Sequence, residues 1–152
     1  MEQSIYEAAG GADAFVALAT AWHARCLDDP VVSHAFLHPG GHPDHIARLA
    51  AYWAEALGGP PDYSGSVADE TYVLRLHSGN GEHNDMDDRA IACFVAAQDD
   101  AGLPNDERLR AALTDYFRWA IGEMNTHPDS ADGIPAQLPM PHWAWGGLVQ
   151  AG

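Results

Sequence analysis

At 152 residues the chain is long enough for one domain with a genuine hydrophobic core, and 47% apolar content with five Trp, five Tyr and four Phe marks it as folded rather than disordered. Its formal charge of -15 comes from 22 acidic residues against seven arginines and no lysine. Such a surface repels nucleic-acid phosphates and anionic lipid headgroups, which argues against nucleic acid and membrane as partners. No stretch approaches the roughly 20 apolar residues of a membrane span, and no charged region leading into an apolar run marks a signal peptide, so a soluble, cytoplasmic protein is expected.

A short first element carries Ile5, Tyr6, Ala8 and Ala9 and ends at Gly10-Gly11. Next, Phe15, Leu18, Ala19, Trp22 and Cys26 recur at three-and-four spacing, which predicts one buried face of a helix. Asp28-Asp29-Pro30 interrupts it, and Val31 to Phe36 reads as a short turn of helix opened by Pro30. After the Pro39-Gly40-Gly41 loop, the spacing predicts a helix over 42–57 with Ile46, Leu49, Tyr52, Trp53, Ala56 and Leu57 as its apolar set. Gly58-Gly59-Pro60-Pro61 stops it.

Residues 62–85 read as mostly irregular apart from a short helix over 69–76. Tyr72-Val73-Leu74 suits a strand by propensity, but no nearby segment offers it a partner. Asp87 to Ala101 is the third long helix, with Ala90, Ile91, Phe94 and Ala97 inward. Asn105 is expected to cap the fourth, which carries Leu109, Leu113, Tyr116, Phe117, Ala120 and Met124. A Pro-rich tail follows and ends in Trp143-Ala144-Trp145-Gly146-Gly147. Four substantial helices with few sheet candidates make an all-α domain. The long connection before the third long helix is unusual for a simple bundle, and loops of that length commonly carry function.

Cys26 and Cys93 lie far apart without metal-ligand spacing and read as buried free thiols. Of nine histidines, His34, His38, His42 and His45 would form a metal-binding stripe on one unbroken helix, but Pro39-Gly40-Gly41 lies within the run, so surface histidines are the ordinary reading. No nucleophile elbow, phosphate loop or dinucleotide fingerprint appears, and acidic residues are too abundant for a carboxylate pair to mean anything. His77 stands apart. It follows the apolar Tyr72-Val73-Leu74-Arg75-Leu76 run, between two helices, where an imidazole could serve as an axial haem ligand.

Over about residues 4–125 the sequence resembles a truncated globin of group II. Tyr6-Glu7-Ala8-Ala9-Gly10-Gly11 with Phe15 matches the family's opening, and Trp22-His23-Ala24-Arg25 followed by Asp29-Pro30-Val31 its first long helix and corner. Tyr52-Trp53-Ala54-Glu55-Ala56-Leu57-Gly58-Gly59-Pro60 matches the distal helix, Leu76-His77 the proximal ligand site, and Asp115-Tyr116 with Asn125 the last helix. Pro141-His142-Trp143-Ala144-Trp145 looks like the tryptophan-containing extension of some members.

The resemblance implies a two-over-two helical sandwich, a globin domain over 1–126 and an extension over 127–152. It implies haem b, with iron held by His77 and His83 as a lesser rival. Phe36 falls at the aromatic corner against the macrocycle, with Leu76 beside the ligand. His45, Leu49 and Tyr52 face the pocket from the distal helix. His23 stands where members usually place a hydrogen-bonding tyrosine. Ala90, or Ile91 with one inserted residue, stands where they usually place a tryptophan. Both usual donors are thus absent, and two histidines replace them.

The expected function is reversible binding of a diatomic ligand, oxygen first, with nitric oxide or carbon monoxide next, of an oxygen-binding, transport or sensing type. A reductase is a candidate partner. A haem enzyme, peroxidase or nitric-oxide dioxygenase, is the alternative. A non-haem helical interaction module is the third reading.

Overall fold

The computed structural model describes residues 3–33, 45–66, 70, 73–74, 84–125, 130, 132–136 and 138–149. Over these the chain forms α1 (Ile5–Ala9), α2 (Ala12–Asp28), α3 (His45–Ala56), α4 (Asp62–Ser66), α5 (Asn84–Asp100) and α6 (Glu107–Met124). A two-stranded hairpin follows, β1 (Trp143–Ala144) and β2 (Gly147–Leu148).

Local chemistry sets most boundaries. The Ser4 hydroxyl accepts the Glu7 amide at 3.1 Å and caps α1. Gly10 and Gly11 both take positive φ, 121° and 81°, so the chain turns sharply into α2 without the strain a side chain would bring. The Gly58-Gly59 stop is also a packing requirement. A Cβ on Gly59 would stand 2.7 Å from the Ala54 carbonyl oxygen and 2.7 Å from the Tyr6 ring, where α1 rests on the end of α3. The Tyr6 amide donates to the Leu57 carbonyl at 2.9 Å in the same place.

α2 packs against α3 on one side and α5 on the other, and α6 packs on α5 and α1, which gives the expected two-over-two arrangement. Trp22, Trp53, Phe94 and Phe117 meet at the centre. Trp22 and Trp53 meet edge to face at 5.7 Å, Trp53 meets Phe94 at 5.3 Å, and Phe94 stacks on Phe117 at 4.2 Å. These are the offset and edge geometries that ring quadrupoles favour. The Trp22 indole N–H donates to the Ala90 carbonyl at 3.1 Å, so this aromatic block also fastens α2 to α5.

Four details depart from the sequence reading. α5 begins at Asn84 rather than Asp87, which brings the acidic Asp85 and Asp87 into its first turn. α6 is capped by Asp106, not Asn105, because the Asp106 carboxylate accepts the Leu109 amide at 2.9 Å. Within 62–85, α4 is helical. Its Ser64 donates from backbone N–H and hydroxyl to the two oxygens of buried Glu55, at 2.8 and 2.6 Å. Residues 70, 73 and 74 are helical, as the short-helix reading expects and the strand reading does not.

The fourth departure is in the tail, which pairs Trp143 with Leu148 in an antiparallel hairpin. Trp143 lies against Tyr116 and Trp119 of α6 at 6.2 and 5.6 Å. Trp145 donates its indole N–H to the Gln3 carbonyl at 2.7 Å and lies under the Arg108 guanidinium. No described helix is long and apolar enough to cross a membrane.

Candidate functional site

Five of the residues singled out for a cofactor site are described: His23, His45, Leu49, Tyr52 and Ala90. His77, Leu76 and Phe36 lie outside the described residues, as do His83 and His34, His38 and His42. The four-histidine stripe is therefore represented by His45 alone. Among the described residues no group of three or more His, Cys, Asp or Glu could hold a metal ion.

His23 projects from the middle of α2 and His45 from the first residue of α3. Their ring centroids lie 4.6 Å apart, with the planes tilted by 59°. The sequence reading assigned both to one pocket from opposite helices, and the fold brings them together. The environment makes His23 a poor cation. Partial burial holds its pKa below the usual histidine value of 6.5, and the charge that His45 would carry pushes the same way. His23 is therefore neutral near pH 7, with one ring nitrogen a donor and the other an acceptor. Nε2 of His45 is shut off from solvent.

Leu49, one turn along α3 from His45, is half-buried, and Ala90 is buried on α5. Ala90 presents only a methyl group from α5, and its carbonyl is taken by Trp22. Tyr52 is buried at the far end of the same stripe. It meets Tyr63 edge to face at 5.2 Å, and its hydroxyl lies 2.7 and 3.0 Å from the two carboxylate oxygens of Glu70.

Glu70 was not singled out from the sequence. A signal for it existed: it precedes buried Val73 and Leu74 by three and four residues, so it shares their helical face. Burial, followed by the nearby Tyr116 and Glu70, drives the Tyr52 phenol well above its ordinary pKa. Tyr52 thus remains a hydrogen-bond donor to Glu70 at any physiological pH. The Tyr116 hydroxyl is also buried, without a hydrogen-bond partner among the described residues. Burial and Glu70 raise its pKa in the same way. The Tyr52–Glu70 bond ties the segment that leads toward His77 to the helix that carries His45.

The donor set fits an iron porphyrin. The His23–His45 imidazole pair, with His23 neutral, near the apolar side chains of Leu49 and Ala90 on the neighbouring helices, suits a small ligand held by iron. It is poorly suited to a charged substrate.

The bacterial-like globin family model matches residues 4–122. Among solved structures the chain is similar to a hemoglobin of the thermophilic phototroph Chloroflexus aurantiacus, at 28% identity and TM-score 0.68, covering 81% of this chain and 98% of that one. It is similar to a thermostable hemoglobin of the actinobacterium Thermobifida fusca, at 25% identity and TM-score 0.65, covering 90% and 100%. The fold also matches the group II truncated hemoglobin of Bacillus anthracis, at 17% identity and TM-score 0.70, covering 88% and 99%. No curated protein matches the chain. The family match spans most of the sequence and the fold agrees with it over nearly the whole of each hemoglobin, so the chain belongs to the bacterial-like globin family, as a haem-iron globin for a gaseous ligand.

Proposed function

We propose that the chain carries haem b on His77 and reversibly binds oxygen, in an oxygen-binding, transport or sensing role, with nitric oxide and carbon monoxide as further ligands. Bound haem would supply the iron that takes the diatomic ligand; the protein supplies the axial nitrogen and the polarity of the wall facing it. Leu76 and Phe36 join Leu49, Tyr52 and Ala90 as the apolar surround. His23 donates a hydrogen bond to the ligand from α2, and His45, at the first residue of α3, gates the site or competes for the sixth position. The 1–126 segment is the globin domain and 127–152 an extension held on it by Trp143 and Trp145. Cytoplasmic placement and a reductase that keeps the iron reduced complete the reading.

The observation that carries this proposal is the apposition of His23 and His45, with His23 held neutral. The test is the optical spectrum of the purified protein, oxidised and reduced, alongside His77→Ala and His83→Ala. Retained haem with a histidine-ligated spectrum, lost in His77→Ala and kept in His83→Ala, is the expected result. The reverse pattern moves the iron bond to His83. Absence of haem from protein expressed with ample haem removes the proposal.

A further inference from the structure

Among the described residues, the large apolar side chains left exposed on helices are Val16 and Leu27 of α2 and Val95 of α5, each nearly half accessible. Val16 and Leu27 stand 11 positions apart, about three turns of helix, so they share one face. Thr20 and Ala24 lie between them on that face. The Thr20 hydroxyl donates to the Val16 carbonyl at 2.7 Å, so this residue adds little polarity. From Ala14 to Ala24 the helix carries no Asp, Glu, Lys or Arg.

On α5, Ala92 and Val95 are exposed one turn apart, with Ala96 half-buried beside them. A groove of about 600 Å³ runs between the two helices and is floored by Ala24, Ala92, Cys93 and Ala96. Leu27 stands one turn from Ala24, and Val95 one turn from Ala92. Large side chains beside a floor of methyl groups form the ridges and groove through which helix pairs interdigitate.

Charge decides what can dock there. A net charge of -15 sets most of the surface against a second copy of the chain. This face is nearly balanced. The groove is lined by Arg25 and Arg89 and by Asp28, Asp29 and Asp100, so only -1 of the total falls on it. Arg25 forks onto Asp100, with its second hydrogen bond at 2.9 Å, and Arg89 reaches Asp29 at 3.4 Å, so a surface packed over them strands no arginine. A basic protein would be drawn to the acidic remainder of the molecule and not to this strip. A two-fold contact needs a face that is its own complement. Both helices supply one, with Arg25 and Asp28 on α2 and Arg89 and Asp100 on α5 beside the apolar residues. Two 17-residue helices side by side, each about 25 Å long and about 10 Å wide, offer roughly 500 Å² in projection. That is the low end of what a specific pair buries on each side, as suits a reversible contact.

We propose that the α2–α5 face is where two copies of this chain dock as a reversible two-fold dimer, with Leu27 and Val95 of each copy seated over Ala24, Ala92 and Ala96 of the other. The contact does not depend on haem.

Sedimentation velocity of the full-length protein over about 5–500 µM, in about 20 and about 500 mM sodium chloride, tests this. Wild type is expected to pass from monomer to dimer as concentration rises. It should dimerise more readily in high salt, because screening weakens repulsion between two acidic bodies and leaves apolar contact intact. Leu27→Glu and Val95→Glu should each weaken the dimer at least about tenfold, by burying an unpaired carboxylate. Their urea midpoints should match wild type, since both side chains are exposed in the single chain. Leu148→Glu, at an exposed apolar position of the tail, should leave association unchanged. Iodoacetamide gives a second reading. Cys93 is part-exposed in the groove, and its alkylation should slow several-fold where the dimer prevails. Protein that stays monomeric throughout overturns the proposal. So does a dimer that survives both glutamate variants, that Leu148→Glu breaks, that high salt dissolves or that leaves Cys93 alkylation unchanged. An assembly that grows beyond two copies overturns it as well, because a two-fold face closes on itself.

Discussion

Trp22 and His23 are neighbours on α2, and they enter regions of opposite character. Trp22 enters a block of four aromatic rings, and its one polar atom is spent on the Ala90 carbonyl. His23 enters a corner shared with a second imidazole, where ring nitrogens remain polar features of the wall. One residue's step along the helix, about 100° of rotation, separates a region built for packing from one able to interact with a small ligand. The aromatic block fixes how α2, α3, α5 and α6 meet. The imidazole corner contributes little to that meeting and presents the chemistry. Changes in the two regions should therefore be felt in different measurements.

The largest effect is expected in the block. Phe117 is buried against Trp22, Trp53 and Phe94, and Phe117→Ala should destabilise the protein by about 3–5 kcal/mol through lost transfer energy and an incompletely collapsed cavity. Denaturant unfolding reads this directly. A loss below about 1 kcal/mol would mean that the ring cluster is not the keystone of the helix packing.

The Tyr52–Glu70 bond is polar like the imidazole corner and buried like the block, so it tests which property decides. Tyr52→Phe keeps the ring against Tyr63 and removes a charge-assisted donor to a buried carboxylate, at an expected cost of about 1.5–3 kcal/mol. If stability is unchanged while ligand rates shift, Tyr52 belongs to the ligand wall rather than to the scaffold.

In the imidazole corner the ordering reverses. His23→Phe should leave unfolding nearly untouched and should speed oxygen release by the equivalent of about 0.5–3 kcal/mol of lost hydrogen bond. His45→Leu should act on ligand entry instead, and should abolish a six-coordinate resting spectrum if His45 fills that position. Stopped-flow association and dissociation rates separate the two roles. Unchanged rates in both variants would make the corner another piece of packing.

The four long helices and the all-α class were legible because each helix repeats its apolar residues at three-and-four spacing, and because Gly10-Gly11 and Gly58-Gly59 punctuate them; the two-over-two arrangement came from the family resemblance. The meeting of His23 and His45 was legible only through the family resemblance, since they stand 22 positions apart with a Pro-Gly-Gly loop between them. Glu70 and the tail hairpin were missed for related reasons. A buried acid is recognised by its partner, and Tyr52 stands 18 residues away. A two-residue strand has no periodicity to read. The cap at Asp106 shows the limit of local rules, since Asn105 and Asp106 are both good caps and only the backbone decides.

The smallest effect distinguishes the regions by acid. The rings of the block do not titrate near neutrality, whereas the folded-state pKa of His23 is held below 6.5 by burial and then by His45. Above pH 6.5 the imidazole is neutral both folded and unfolded, so it gives no pH dependence. As pH falls through 6.5 the unfolded chain takes up a proton that the folded chain refuses, so stability declines. The decline from this group ends once pH passes below the lowered folded-state value. His23→Phe removes that limb. The stability advantage of wild type over His23→Phe should therefore shrink as pH is lowered from about 7.5 to about 5.5, as read by urea midpoints at each pH, while the difference between wild type and Phe117→Ala should stay level. A His23→Phe difference that is equally flat would mean that His23 takes up its proton as readily folded as unfolded, and the corner would lose the neutral donor on which the ligand reading depends.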